Sequence, residues 1–206
     1  MMEFIPYILA LISGYLLGCF QTSYILGRIL RDLDIRQHGS SNAGASNAVT
    51  ILGFRWGLVT FLVDFCKAAS AVWLIRWFFP DPPVVSYLAG AAAVLGHIFP
   101  FFLRFRGGKG VAAMLGMYMA VQPWAGVMIL VIQIVIAGIT DYVALGSLAF
   151  FALLPLLTYF LGYGPFGIGL SILLMIIGLV KHRENVIRIR AGTEVKVRPT
   201  LFKSCR

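Results

Sequence analysis

Three short stretches of this 206-residue sequence carry residue types suited to chemistry on a phosphorylated substrate. The first is DIRQHGSSNAGASNAV, Asp34–Val49, rich in residues that turn the chain and present short hydrogen-bonding groups. Ser40, Asn42, Ser46 and Asn47 are its candidates for orienting a polar substrate. The second, GHIFPFFLRFRGGKGVAA, contains RFRGGKG at Arg104–Gly110, which holds cations and glycines with no acid. Glycines let backbone N–H groups approach an anion, and a helix beginning near Val111 would aim its positive end at the same place. Lys109 adds a mobile charge, so Gly107, Gly108, Lys109 and Gly110 suit a phosphate. A Walker A loop is excluded, because the lysine is followed by Gly110 and the earlier glycine is absent. The third stretch is KHRENVIRIRAGTE, Lys181–Glu194. His182, Asn185 and Arg188 lie along one face if the preceding helix continues. Asp64 and Lys67 add a fourth signal, i and i+3 inside an apolar run where unpaired charge is costly. Each has a plainer reading: a bland loop, a positively charged anchor, a basic tail on anionic headgroups, and a mutual ion pair.

The elements that must position these residues are membrane helices. The chain is 60% hydrophobic and 12% charged, with a mean hydropathy of +0.89. Its long apolar runs suit a bilayer core, and they are continuous rather than alternating, which argues against a barrel. The run Phe4–Gly27 follows Glu3 without a basic region and is too long for a signal-peptide core, so it reads as a retained span. Further spans are expected at 56–79, 84–103, 123–139, 142–161 and 165–180, with a short helix at 110–121. PDPP at Pro80–Pro83, Pro123 and GYGP mark turns. The expected fold is all-α, a single membrane-embedded domain over 1–206 with about seven transmembrane helices. The short helix would rise about 18 Å, so it either crosses or re-enters. Lys and Arg cluster after the first span, after 84–103 and after the last, which places all three stretches and the C-terminus in the cytoplasm and the N-terminus outside. The net charge of +9 is thereby explained by orientation and anionic ligands, with no nucleic acid expected. Cys19, Cys66 and Cys205 form neither a disulfide framework nor a metal-ligand pattern. No metal or cofactor is expected.

Together the three stretches resemble the signatures of the bacterial acyl-phosphate:glycerol-3-phosphate acyltransferases, the PlsY family. The resemblance runs from Gly18 to Glu194, and GHIFPFFLRFRGGKGVA and HRENVIRIRAGTE carry it most specifically. It implies a multi-pass enzyme of the bacterial cytoplasmic (inner) membrane. Such an enzyme would move a fatty acyl group from acyl-phosphate to the 1-hydroxyl of glycerol 3-phosphate, giving lysophosphatidic acid and phosphate. Its partners would be those two substrates, the lipid bilayer and the soluble enzyme that makes acyl-phosphate. The chain departs from the family pattern in places. Ser41 stands where a glycine is usual, Ser46 replaces threonine, and Thr50 stands where an arginine often occurs. Arg106 replaces a common lysine, Ala113 a common threonine, and Ala68 a common glycine. Either Arg55 supplies the missing cation or phosphate affinity suffers.

An acyl phosphate is an activated mixed anhydride, so its leaving phosphate needs charge stabilisation more than protonation. On the resemblance, the Gly107–Gly110 loop with Lys109 takes a substrate phosphate, with Arg55 as the further cation. Ser40 and Asn47, with Asn42 and Ser46 in support, orient substrate and bond the developing oxyanion. His182 and Asn185 complete the constellation, with Arg188 and Glu194 behind them and Asp64 and Lys67 bracing it. The hydroxyl proton goes to His182 or to a substrate phosphate. His97, at a helix end before FP, is expected to be structural. Two competitors remain: an inactive family member serving as a lipid scaffold, and an anion transporter. A transporter would line its spans with polar residues, and apart from Asp64, Lys67, Gln122 and Gln133 the interiors of the spans are poor in them.

Overall fold

The computed structural model describes residues 2–198, so Cys205 lies outside the described residues. Ten α-helices occur among them: α1 Ile5–Cys19, α2 Thr22–Arg31, α3 Ala45–Leu52, α4 Phe54–Phe78, α5 Pro83–Ile98, α6 Val111–Val121, α7 Pro123–Thr140, α8 Val143–Phe160, α9 Gly164–Lys181 and α10 Arg183–Arg190. Six stretches are long and apolar enough to cross a bilayer: Ile5–Arg31, Phe54–Phe78, Pro83–Leu103, Pro123–Thr140, Val143–Phe160 and Gly164–Arg190. Val111–Val121 is the shorter apolar helix. The expected turns hold: α4 stops before Pro80, α5 opens on Pro83, and Pro123 opens α7. The chain forms two compact units, Met1–Gly126 and Val127–Arg206.

In the first unit α1 lies directly against α5. Gly14 and Gly18, one helical turn apart, meet the carbonyl oxygens of Ala89 and Ala93, where any Cβ would overlap. This small-xxx-small contact lets two backbones approach without a solvent-driven hydrophobic force between them. Gly116 of α6 packs the same way on the Phe65 carbonyl of α4. Near the end of α4, Arg76 Nη1 and Nη2 donate to the carbonyls of Ala120 and Val121, each at 3.0 Å. Those carbonyls end α6 and have no partner within the helix. So α6 runs alongside α4, from Phe65 at its middle to Arg76 near its end. It can be short because it is clad in protein: Ala113, Met114, Met117 and Tyr118 are fully buried.

The first expected span is not one helix. α1 ends at Cys19 and α2 begins at Thr22, with Phe20 extended between them. Gln21, Thr22 and Ser23 are buried polar residues at this break. Gln21 Nε2, Thr22 Oγ1 and the Phe20 carbonyl find polar partners inside the protein, the place where a membrane chain tolerates such a gap.

The second unit pairs α8 with α9, where Gly178 rests against the Phe151 ring. Gln133 Nε2 of α7 donates to Ser147 Oγ of α8 at 3.0 Å. The turn at Asp141 is held by the chain beyond α10. Val197 N donates to the Asp141 carbonyl at 3.0 Å, and Arg198 N to its carboxylate at 2.9 Å.

Candidate active site

The stretch from Asp34 to Val49 folds on a small core of its own. Ile35, Ala43, Ala48 and Leu52 are buried together under Leu26, Leu33 and Ile51. Asn47 is the brace of this segment. Its Nδ2 donates to the carbonyls of Ile35 at 2.9 Å and His38 at 3.0 Å, and its Oδ1 accepts Ser40 N at 2.9 Å. Both amide protons are thereby engaged. The geometry makes Asn47 a positioning residue that holds Ser40, rather than a donor to a developing oxyanion. Gly39, at φ +59°, lies where a Cβ would overlap Asn47 Oδ1. Ser40 and Asn42 are half-buried, Ser46 is exposed, and Thr50 Oγ1 donates to the Ser46 carbonyl at 3.1 Å. Arg55 is exposed in the first turn of α4, on a different helix from Thr50.

Arg36 was legible in the sequence only as a topogenic charge, and the structure gives it a larger role. Its Nη1 donates to the carbonyls of Leu103 at 2.9 Å and Arg106 at 3.3 Å. Its Nε and Nη2 donate to the two oxygens of Asp34, at 2.9 and 2.6 Å. The guanidinium lies 5.1 Å from the centroid of the Tyr24 ring. The hydrogen bond from Arg36 is the main cause holding the Asp34 carboxyl below its ordinary value of 3.8. Asp34 in turn raises Arg36. This pair ties the first segment to the loop that carries the glycines. The D-x-R spacing was the available signal.

The glycine loop is not slack. After α5 the chain turns at Arg104 and Phe105, both in the left-handed region at φ 55° and 59°. It then pairs back on itself: Phe105 N bonds to Pro100 O, Gly107 N to Ile98 O and Gly108 N to His97 O, at 3.0–3.1 Å. The N–H groups of Gly107 and Gly108 are therefore engaged and do not line a phosphate cradle. A different physical reason requires glycine there. A Cβ at 107 would overlap the His97 carbonyl, and one at 108 would overlap the His97 imidazole. The donors at this end are those of the first turn of α6, which starts at Val111 after Gly110 at φ +88°. The first intrahelical bond is Met114 N to Gly110 O at 2.8 Å, so the N–H groups of the turn before it have no partner within the helix. The Ala43 carbonyl, next to Asn42, also faces Gly108. The first two stretches thus meet at one end of the first unit.

Asp64 and Lys67 pair at 2.7 Å and are buried. They are not isolated. Lys67 Nζ also meets the Phe20 carbonyl at 2.6 Å and His97 Nδ1 at 2.9 Å.

In the second unit, His182 is the hinge residue between α9 and α10, so the last helix bends there instead of running on. Its Nδ1 lies 2.8 Å from the Gly178 carbonyl. A carbonyl only accepts, which places a proton on Nδ1. Glu194 gathers the rest of this stretch: Oε1 accepts Asn185 Nδ2, and Oε2 accepts Arg188 Nε, both at 2.6 Å. Among the described residues no group of His, Cys, Asp and Glu is arranged to hold a metal ion.

Fold and site define a class: a polytopic helical membrane protein presenting a helix N-terminus, a lysine and a hydroxyl- and amide-rich loop at one end. The particular family follows from comparison. The family model described as Glycerol-3-phosphate acyltransferase matches residues 8–192, and the chain belongs to that family. It is 38% identical over 192 residues to the glycerol-3-phosphate acyltransferase of Alkaliphilus metalliredigens, covering 92% of this chain and 95% of the relative. It is 39% identical over 201 residues to that of Clostridioides difficile, covering 95% and 98%. The crystal structure of PlsY (YgiH), an integral membrane glycerol 3-phosphate acyltransferase, in its glycerol 3-phosphate form, superposes with a TM-score of 0.84 at 30% identity. That match covers 93% of this chain and 95% of the other. The lysophosphatidic acid form of the same protein gives 0.82 at 30% identity, covering 95% and 98%.

Proposed function

We propose that this chain is an acyltransferase of the bacterial inner membrane. It moves a fatty acyl group from acyl-phosphate to the 1-hydroxyl of glycerol 3-phosphate. The hydroxyl oxygen attacks the acyl carbon, and the bond from that carbon to the phosphate oxygen breaks. Lysophosphatidic acid and inorganic phosphate are the products. The observation that carries the reading is the opening of α6: Lys109 precedes a first turn with no side-chain cap, and its neighbour Gly108 lies beside the Ala43 carbonyl of the loop that bears Ser40 and Asn42. A helix N-terminus with an adjacent cation suits a phosphate dianion. Ser40 and Asn42 orient the substrate, with Asn47 and Ser46 supporting them. The hydroxyl proton goes to His182 or to a substrate phosphate, as the family resemblance implies, and within the second unit Glu194 holds Asn185 and Arg188. The whole chain, 1–206, acts as one acyltransferase domain, and a soluble enzyme that makes acyl-phosphate supplies the donor.

Steady-state kinetics test this assignment. With acyl-phosphate as donor, Lys109→Ala should raise KM for glycerol 3-phosphate by about tenfold or more, the size of one lost charge-assisted hydrogen bond. An unchanged KM in that variant would show that the phosphate binds elsewhere.

A further inference from the structure

His97 lies in the last turn of α5, 3% exposed, between the Asp64–Lys67 pair and the glycine loop. An ammonium group has three protons and no lone pair. At Lys67 all three have acceptors: the Phe20 carbonyl at 2.6 Å, Asp64 Oδ1 at 2.7 Å and His97 Nδ1 at 2.9 Å. His97 Nδ1 also stands 3.5 Å from Asp64 Oδ1; facing a charged ammonium at 2.9 Å it acts as the acceptor, with the ring proton on Nε2. The opposite edge of that ring meets the loop. A Cβ built on Gly108 would overlap Nε2, lie 2.6 Å from Cε1 and stand 2.9 Å from the Ala43 carbonyl oxygen. The backbone repeats the contact, since the His97 carbonyl accepts Gly108 N at 3.0 Å. That carbonyl is itself braced by Gln21 Nε2 at 3.0 Å, from the break between α1 and α2. Thr22 Oγ1 reaches Asp64 Oδ1 at 3.4 Å from the same break.

We propose that His97 is a positioning residue for acyl transfer: Lys67 locks its imidazole, and the locked ring and carbonyl together set the place of Gly108. Through Gly108 they set where Lys109 and the first turn of α6 meet the substrate phosphate. The break in the first span then has a purpose, because it supplies the Phe20 carbonyl, Gln21 and Thr22 to the lock. A lysine–aspartate pair buried in a membrane span is costly on its own. Here each partner is satisfied, and the third proton of the ammonium is what selects the imidazole tautomer. The proposal rests on the reading of the loop as a phosphate site.

The test is a double-variant cycle on the full-length protein in lipid nanodiscs, read as KM for glycerol 3-phosphate, kcat and thermal midpoint. His97→Asn keeps an acceptor near the Nδ1 position but removes the ring edge beside residue 108. Gly108→Ala alone should raise KM about tenfold, a displacement equivalent to one lost hydrogen bond. His97→Asn alone should raise KM several-fold with a smaller change in kcat. In the double variant the added methyl enters the vacated space, so KM should fall below that of Gly108→Ala alone. The Ala43 carbonyl keeps it above wild type. Losses that multiply without rescue would overturn the proposal. So would coupling seen in the thermal midpoint but not in KM, since the contact would then be structural only. The unsubstituted protein gives an independent reading by nitrogen NMR with labelled histidine. His97 should appear as the Nε2–H tautomer. His182, held on Nδ1, is its opposite. A His97 ring carrying its proton on Nδ1 would overturn the lock. Wild-type protein that forms no lysophosphatidic acid sinks the functional reading, and this inference with it; an active wild type with unlinked variants sinks the inference alone.

Discussion

Ser41 occupies a backbone conformation that suits another residue. Its φ of 55° lies in the left-handed region, where a Cβ crowds the following carbonyl. The resemblance put a glycine at this position, and the geometry supplies the reason. Ser41→Gly should therefore raise stability by up to about 1 kcal/mol, the strain relieved less the entropy a glycine loses on folding. A thermal melt checks it. Thr50 is the other departure, and it calls for a pair of variants. If the cation lost there matters, Thr50→Arg should lower KM for glycerol 3-phosphate by about tenfold, since a charge-assisted bond is worth roughly 1.5–3 kcal/mol. If Arg55 already fills the role, Arg55→Ala should raise KM sharply and Thr50→Arg should do little. Arg55 is exposed on the first turn of α4, the next helix along, which favours the second outcome. The residues of the candidate site were legible from type and spacing, but several jobs were not. Asn47 and Gly108 looked like ligands of a phosphate or an oxyanion. Both are instead held by backbone contacts about a dozen positions back, at Ile35 and at His97. Partners brought together by the turn of an irregular loop leave no periodic pattern to read.

At the scale of elements, the site depends on two loops being joined. Arg36 carries that junction, because it reaches the loop carbonyls of Leu103 and Arg106 only while Asp34 orients it. Asp34 has a lowered carboxyl, so its contribution is present above the ordinary value of 3.8 and is lost as pH falls through the lower folded value. Wild type should thus lose part of its stability below about pH 4, whereas Asp34→Asn should be less stable at neutral pH by roughly 1.5–3 kcal/mol and flat across that window. A pH series of thermal midpoints for both proteins checks the sign. Helix existence and turns followed from hydropathy and proline. Two features of the helices did not: the break at Phe20 and Gln21, and the bend at His182. Gln21 could have been a hint, as an amide inside an apolar run. Hydropathy averages over it, so the run reads as one span. The short helix α6 could not be told from a re-entrant segment by length. Arg76 on its last carbonyls marks how far along α4 it reaches, and this contact spans over forty positions of chain.

For the molecule as a whole, membrane class and family were open to reading because composition and three ordered signatures run through nearly the entire chain. The division into two compact units was not, since no linker or shift in composition marks residue 126. What the protein does with its substrates is the claim on which the residue assignments depend. Purified protein in lipid nanodiscs should be given palmitoyl-phosphate and labelled glycerol 3-phosphate, with palmitoyl-CoA and palmitoylated acyl carrier protein as parallel donors. The account predicts labelled lysophosphatidic acid, with equal release of inorganic phosphate, from the acyl-phosphate reaction alone. Product from the thioester donors instead, or none from any donor, would contradict it.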